Sequence, residues 1–417
     1  MHMCAEETNP TNEEMAKQQI RIRKYLSLEN VSILAGAGTS WHLGPPTIRS
    51  IPADLKEGCK KEIKRYFPDD NADPSYEDLF NCLQADRFLK QRKQTGLLRI
   101  DNSIHKMQDW LFMHCDTEKT EFPPTLDAEI KNDLLSDRYF YHEMLIKKLL
   151  QRPANLKRIN LFTTNYDMAF DYALDNLGIQ YINGFTGIHK RYFRPEVYDY
   201  DLYYPGQSVS GKVYRAEKVL KYYKLHGSLS WISTEHTSQD PYGIQELDMG
   251  AQWATSTSGN ELMVYPCANK KTFTLDLPYS ELFRQFAQAI IQPQSVLFCL
   301  GYSFNDEHIN DIIHQALAIP SFTLIVANYS PSSEENTPYD KDSFLARLRS
   351  LRGHDKRIIL LPEGDEEQSS FCGFVKNVLP DLYEEEEKEY IQQTMSRLGL
   401  DTPSSENDGN PGERADE

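Results

Sequence analysis

The chain has 417 residues, 40% of them hydrophobic and 11% aromatic, which is enough to bury a full core and is longer than one average domain. Its formal charge of −17 argues against a nucleic-acid backbone or an anionic membrane as the main partner, because either would repel it over the Debye range. Seven cysteines, at 4, 59, 82, 115, 267, 299 and 372, include no Cys-x-x-Cys pair, which disfavours a zinc site and a disulfide framework and points to a reducing cytosol.

The first residues, MHMCAEETNPTNEEM, are polar and acidic, and no apolar run approaches membrane-spanning length, so a soluble cytoplasmic protein is expected. TNEEMAKQQIRIRKYLSLEN, 11–30, reads as a first helix: Thr11 can cap it, and Glu13 and Glu14 suit the positive end of its dipole. VSILA, 31–35, is then a buried strand that ends abruptly in Gly36, Ala37, Gly38, Thr39 and Ser40. From about 50 to 150, strands give way to helical spacing. Tyr76, Leu79, Phe80 and Leu83 recur at i, i+3, i+4, i+7, and Ile104, Met107 and Leu111 follow suit, predicting a helical insertion packed beside the glycine turn.

Apolar runs of strand length return at 158–164, 222–226, 262–266, 295–303, 322–330 and 357–362. They are apolar on both faces, as in a parallel sheet covered by helices. Between them lie patterns such as DEHINDIIHQAL, where Ile309, Ile312, Ile313 and Leu317 share a face. The alternation predicts an α/β fold, a doubly wound, mostly parallel Rossmann-like sheet with a helical insertion. The tyrosine-rich stretch 181–223 reads as an irregular loop or hairpin, since no basic groove accompanies it for base stacking. DLYEEEEKEYIQQTMSRLGL reads as a last helix and 401–417 as an acidic disordered tail, so the expected division is one domain over 1–380 followed by helix and tail over 381–417.

A strand ending in Gly-x-Gly lets backbone N–H groups approach a pyrophosphate, although a tight structural turn explains the same residues equally well. The dinucleotide-redox fingerprint requires a small residue at 41, and the chain has Trp41. FTTNYDMAFDYAL sets Thr163, Thr164, Asn165 and Asp167 directly after a buried strand, and YYKLHGSLSW does the same with His226. In a doubly wound sheet both groups project into the crevice that contains Gly36 and Gly38. Each has an ordinary reading too: Asn165 as a cap for the helix beginning near Asp167, and His226 as a hydrogen-bonded core histidine. His105, His114, His142, His189, His308 and His314 are scattered, so no metal is expected, and no Gly-x-Ser-x-Gly elbow supports a serine hydrolase.

AGAGTS, TTNYD, LHGS and GYSFNDEHI, in that order between about residue 30 and about 330, together resemble the sirtuin superfamily. In particular they resemble the sirtuin-like NAD+ hydrolases of bacterial antiphage defence systems, of the type found with HerA-like ATPases. The resemblance implies NAD+ as substrate, with Ala35, Gly36, Ala37, Gly38, Thr39 and Ser40 holding its diphosphate and the adjoining ribose. It implies that Asn165 contacts the nicotinamide-side ribose or orients water, that Asp167 sits near the nicotinamide amide, and that His226 is the general base. Thr164, in the same nucleotide-binding motif, stands where deacylating sirtuins usually carry Gln. Gly301, Tyr302 and Ser303 would border the adenosine ribose, and Asn328 would contact that ribose or the adenine.

The paired cysteines of protein-deacylating sirtuins are missing, so the implied activity is that of an NAD+ nucleosidase, releasing nicotinamide and ADP-ribose as the effector of abortive infection by NAD+ depletion. The alternatives are a module that senses NAD+ or an ADP-ribose derivative, and a deacylase or ADP-ribosyltransferase. The partners implied are further copies of the chain, as a homo-oligomer, and a HerA-type ATPase or another defence-system protein. Neither a membrane nor direct nucleic-acid binding is expected.

Overall fold

The computed structural model describes residues 10–46, 51–69, 74–93, 96–206, 213–248, 261–263, 277–327, 344–361 and 370–383. In chain order its strands are β1 (Asn30–Ala35), β2 (Asn160–Thr163), β3 (Gln180–Ile182), β4 (Phe185–Thr186), β5 (Arg191–Phe193), β6 (Tyr203–Pro205), β7 (Val213–Arg215), β8 (Val219–Lys224), β9 (Gly227–Ser233), β10 (Ile244–Glu246), β11 (Glu261–Met263), β12 (Ser295–Leu300), β13 (Thr323–Ala327) and β14 (Ile358–Leu361). The helices are α1 (Pro10–Leu26), α2 (Ala53–Gly58), α3 (Lys60–Tyr66), α4 (Tyr76–Lys93), α5 (Leu97–His114), α6 (Ala128–Ser136), α7 (Phe140–Leu149), α8 (Ala169–Asn176), α9 (Tyr279–Ile290), α10 (Glu307–Leu317) and α11 (Phe344–Arg352).

Seven strands form a parallel sheet in the order β14-β13-β12-β1-β2-β8-β3. Side chains alternate between its faces. Val31, Ile33, Ala35, Val296, Phe298 and Leu300 enter one core, while Leu34, Leu297 and Cys299 enter the other. The first core is closed by Ile22 and Leu26 of α1, Leu145 and Leu149 of α7, and Phe170 of α8. The second is closed by Phe283 and Phe286 of α9 and by Ile309 and Ile313 of α10. Burial of both faces is why these strands read as unbroken apolar runs, each large side chain contributing roughly 1.5–3 kcal/mol.

From β1 the chain passes to β2 on one side, whereas β12 leads to β13 on the other. The carboxyl ends of β1 and β12 therefore flank a topological switch point, where doubly wound sheets bind ligands. Between β1 and β2 the described residues hold helices and no strand. Tyr76, Leu79, Phe80 and Leu83 of α4 and Ile104, Met107 and Leu111 of α5 form a third core, joined by Leu229 of β9.

One expectation is corrected. The described part of the run 262–266, Leu262 and Met263, does not join the parallel sheet: β11 pairs antiparallel with β9 in a five-stranded sheet ordered β11-β9-β10-β5-β4. β9 starts three residues after β8 ends, too short a link for a parallel crossover, so the chain leaves the first sheet there. Of the two readings of 181–223, loop or hairpin, the described residues fit the second: β4 and β5 pair antiparallel in that second sheet, and β6 pairs antiparallel with β7. The proposed last helix lies largely, and the tail wholly, outside the described residues. No helix among the described residues is long and apolar enough to cross a membrane.

Candidate active site

The strand β1 ends in Ala35, fully buried, and the chain then turns through Gly36 to Ser40. Gly36 N–H donates to Leu300 O and Gly38 N–H to Gly301 O, each at 2.9 Å, so the turn is stitched to the end of β12. A Cβ on Gly36 would lie 2.6 Å from Tyr302 Cα, and one on Gly38 would lie 2.8 Å from Gly301 Cα. The glycines thus serve close backbone packing. Thr39 N–H and Ser40 N–H donate to Gly36 O and Ala37 O, so of the turn's backbone donors only that of exposed Ala37 is not spent within these contacts. If Ala35 to Ser40 hold a diphosphate and its ribose, the backbone donor not spent inside the turn is that of Ala37.

Gly301, at φ +57°, occupies the left-handed region, and a Cβ there would meet Gly38 C and Thr39 N at 2.6 Å. Gly301→Ala is expected to cost about 2–4 kcal/mol from the positive φ and the backbone overlap together. Gly178→Ala, also at positive φ but with open space around its Cβ, should cost only the conformational part. Denaturant unfolding of the two variants measures the difference.

Next to the turn stands the loop after β2. Asn165 Nδ2 donates to Thr39 Oγ1 at 3.2 Å and to Ser40 Oγ at 3.0 Å. Thr39 Oγ1 passes its own proton to Gly36 O at 2.8 Å, and the Ser40 hydroxyl is near enough to the Asp167 carboxyl to favour its charged form. With both amide hydrogens committed, Asn165 has its carbonyl Oδ1 left as an acceptor for a ligand. The helix-cap reading of Asn165 fails: α8 starts at Ala169, whose N–H donates to Asp167 Oδ1 at 3.0 Å. Burial pushes the Asp167 carboxyl above the usual carboxylate range, against the pull of Lys224, the Ala169 N–H and the Ser40 hydroxyl. Thr164 is half-buried and donates its N–H to Ala35 O at 3.0 Å; the hydroxyl that braces Asn165 belongs to Thr163, which accepts from Asn165 N at 3.1 Å.

Beneath this loop lies a pair the sequence reading did not single out. Lys224, 3% exposed, donates to Asp171 Oδ2 at 2.9 Å and to the carbonyl of Asp167 at 2.6 Å, while Tyr222 OH donates to the same Asp171 oxygen at 2.9 Å. A lysine inside the apolar strand YYKLH was the available signal.

His226 follows β8 by two residues and is 7% exposed. Its Nε2 lies 3.0 Å from Asp306 Oδ2, with Tyr166 and Phe283 ring centroids at 6.4 and 6.3 Å. Asp306, in the quoted GYSFNDEHI, also went unassigned; it caps α10 by accepting from His308 N and Ile309 N. Along 301–306, Tyr302, Phe304 and Asp306 point inward while Ser303 is exposed. The Tyr302 phenol is held in the core by Asp306 O at 3.3 Å and Asn310 Oδ1 at 3.4 Å, so its side chain is turned away from the nucleotide role expected of it. Asn328 lies outside the described residues.

Behind the turn, His42, 2% exposed, packs at 5.3 Å between ring centroids against fully buried His142. Neither ring nitrogen of His142 has a hydrogen-bond partner. Burial, helped by the Arg138 charge, pushes His42 down to about 3, and burial also carries His142 well below its usual value. Both are neutral when folded yet take up protons near pH 6.5 when unfolded. Their contribution is therefore complete above about pH 6.5 and is lost as pH falls, by at most about 1.4 kcal/mol per pH unit for each. His142→Phe is expected to reduce the loss of stability between pH 7 and pH 5 by about 1–2 kcal/mol, as read by denaturant titrations at the two pH values.

Residues 159–351 match the family model described as a SIR2-like domain, a stretch containing Asn165, Asp167, His226 and Asp306 but not the glycine turn. The chain thus carries a SIR2-like region within its α/β fold. No curated protein matches it. Among solved structures it is similar to Sir2Tm bound to a propionylated peptide, at 11% identity and a TM-score of 0.38, over 92% of this chain and 99% of that one. At that TM-score the likeness bears on neither substrate nor chemistry. Among the described residues, no group of three His, Cys, Asp or Glu side chains is placed to hold a metal ion.

Proposed function

We propose that the chain is an NAD+ nucleosidase, converting NAD+ and water to nicotinamide, ADP-ribose and a proton. The observation that carries this reading is the convergence, at the carboxyl ends of β1, β2, β8 and β12, of an outward acceptor on Asn165 and a histidine, His226, paired with a buried carboxylate. The match to a SIR2-like domain over these residues supports NAD+ as the substrate.

The chemistry asks for little more. The bond between ribose C1′ and nicotinamide breaks with its electron pair passing to the nicotinamide nitrogen, which leaves neutral, so no acid is required. Positive charge develops on the sugar as in glycoside hydrolysis. Water supplies the oxygen that bonds to C1′, and its proton passes to His226, whose residue type works as a base near neutral pH. Asn165 Oδ1, fixed by two hydroxyls, accepts a hydrogen from that water or from a ribose hydroxyl and so sets the approach.

Such an activity would drain cellular NAD+, which fits the effector of an antiphage abortive-infection system held in check by assembly into an oligomer or by a partner such as a HerA-type ATPase. Chromatography of NAD+ incubated with the chain tests the reaction itself. Equal release of nicotinamide and free ADP-ribose is the expected result. Nicotinamide release with ADP-ribose bound to protein, or only in the presence of an acyl-lysine peptide, would make the acceptor a protein group instead of water.

A further inference from the structure

We infer that Asp306 is the positioning residue for His226, holding the Nε2 proton so that Nδ1 is the nitrogen that accepts the proton in the reaction. The inference rests on His226 being the base.

The cap of α10 uses one carboxylate oxygen: Asp306 Oδ1 accepts from His308 N at 3.0 Å and from Ile309 N at 3.3 Å. Those two bonds fix the carboxylate and present Oδ2 to His226 Nε2 at 3.0 Å, with the side chains 5% and 9% exposed. A cap alone would be satisfied by Ser or Asn. What an aspartate adds is the second, charged oxygen, and here it faces the imidazole. The loop that carries it is braced, since Asn310 Nδ2 donates to Phe304 O at 2.7 Å and the Tyr302 phenol to Asp306 O at 3.3 Å.

The nitrogen of a histidine that faces a carboxylate is the one that keeps its proton, and the other is left with its lone pair. The Nε2–H direction stands off the hydrogen-bond line to Oδ2, so at 3.0 Å the two atoms are in close contact without an aligned hydrogen bond. Catalytic hydrogen bonds commonly reach full alignment only with substrate in place. Once Nδ1 takes the proton, the adjacent carboxylate also stabilises the imidazolium, as the buried carboxylate does in a Ser-His-Asp triad.

The test uses the full chain and Asp306→Asn, which keeps the cap and the shape and removes the charge, with Asp306→Ser as a second cap-preserving variant should the first fail to fold. In nicotinamide release, kcat is expected to fall about 10²-fold or more, with KM for NAD+ changed less than about threefold. Nitrogen-15 NMR of the imidazoles, with the His226 signal identified by its loss in His226→Gln, gives a readout that needs no turnover. The native chain should show the Nε2–H form, and the Asp306 variant should lose that preference. A variant with native kcat, or a His226 spectrum that does not change, overturns the inference. If the native chain releases no nicotinamide, the hydrolase reading fails on its own, and the spectrum still decides whether Asp306 sets the tautomer.

Discussion

Replacing Lys224 with Met is expected to destabilise the chain by about 3–5 kcal/mol and to abolish nicotinamide release at temperatures where the native chain is stable. Lys224 and Asp171 form an ion pair 2.9 Å long with side chains 3% and 6% exposed, so removing the cation leaves a carboxylate buried with only Tyr222 OH and its remaining neighbours to hold it. The same ammonium donates to the backbone of Asp167, two residues from Asn165, so its loss also frees the loop that carries the site. The double variant Lys224→Met/Asp171→Leu removes both charges and should recover more than half of the loss, because the penalty belongs to the stranded charge more than to the pair. Urea unfolding of the two single variants and the double completes the cycle; strict additivity would show that the pair is not coupled.

The second large effect concerns Asn165. Asn165→Asp is isosteric and keeps an outward oxygen, yet nicotinamide release is expected to fall about 10²–10³-fold, as far as in Asn165→Ala. Thr39 has given its hydroxyl proton to Gly36 O, and both Thr39 Oγ1 and Ser40 Oγ accept from Asn165 Nδ2, so both oxygens present lone pairs toward Asn165. An amide meets them with two hydrogens; a carboxylate meets them with more lone pairs and a charge, close to Asp167. The side chain would have to turn away, and the acceptor would leave its place. If Asn165→Asp kept most of the native rate in a chromatographic assay, the hydroxyl scaffold would not be what positions this residue.

Much of this was legible in the sequence, for identifiable reasons. β1, β2, β8, β12, β13 and β14 are buried on both faces, so each left a continuous apolar run, and the faces of α4, α5 and α10 left their helical spacing. The second sheet left little trace, because Phe185–Thr186 and Arg191–Phe193 are too short to establish an alternation, and the second of them joins the sheet only through the distant residues Gln245 and Glu246. In the site, residue types were readable and their commitments were not. Gly36 and Gly38 announced a turn, but that its N–H groups are spent on Leu300 and Gly301 follows only from the order of strands. Lys224 stands in the mostly apolar run YYKLH and Asp306 at the start of a helix, and neither position by itself names a partner. Each acquires its further contact only when β8, α8 and α10 are brought together.

The most direct measurement is nicotinamide release from NAD+ by the native chain and by His226→Ala, each at matched and high protein concentration, with NAD+ binding followed in parallel by calorimetry. Release of nicotinamide and ADP-ribose in equal amounts by the native chain is expected, with about 10²–10⁴-fold slower release by the variant and NAD+ binding retained in both. Release by His226→Ala at the native rate would contradict the proposed function, as would a native chain that binds NAD+ and leaves it intact.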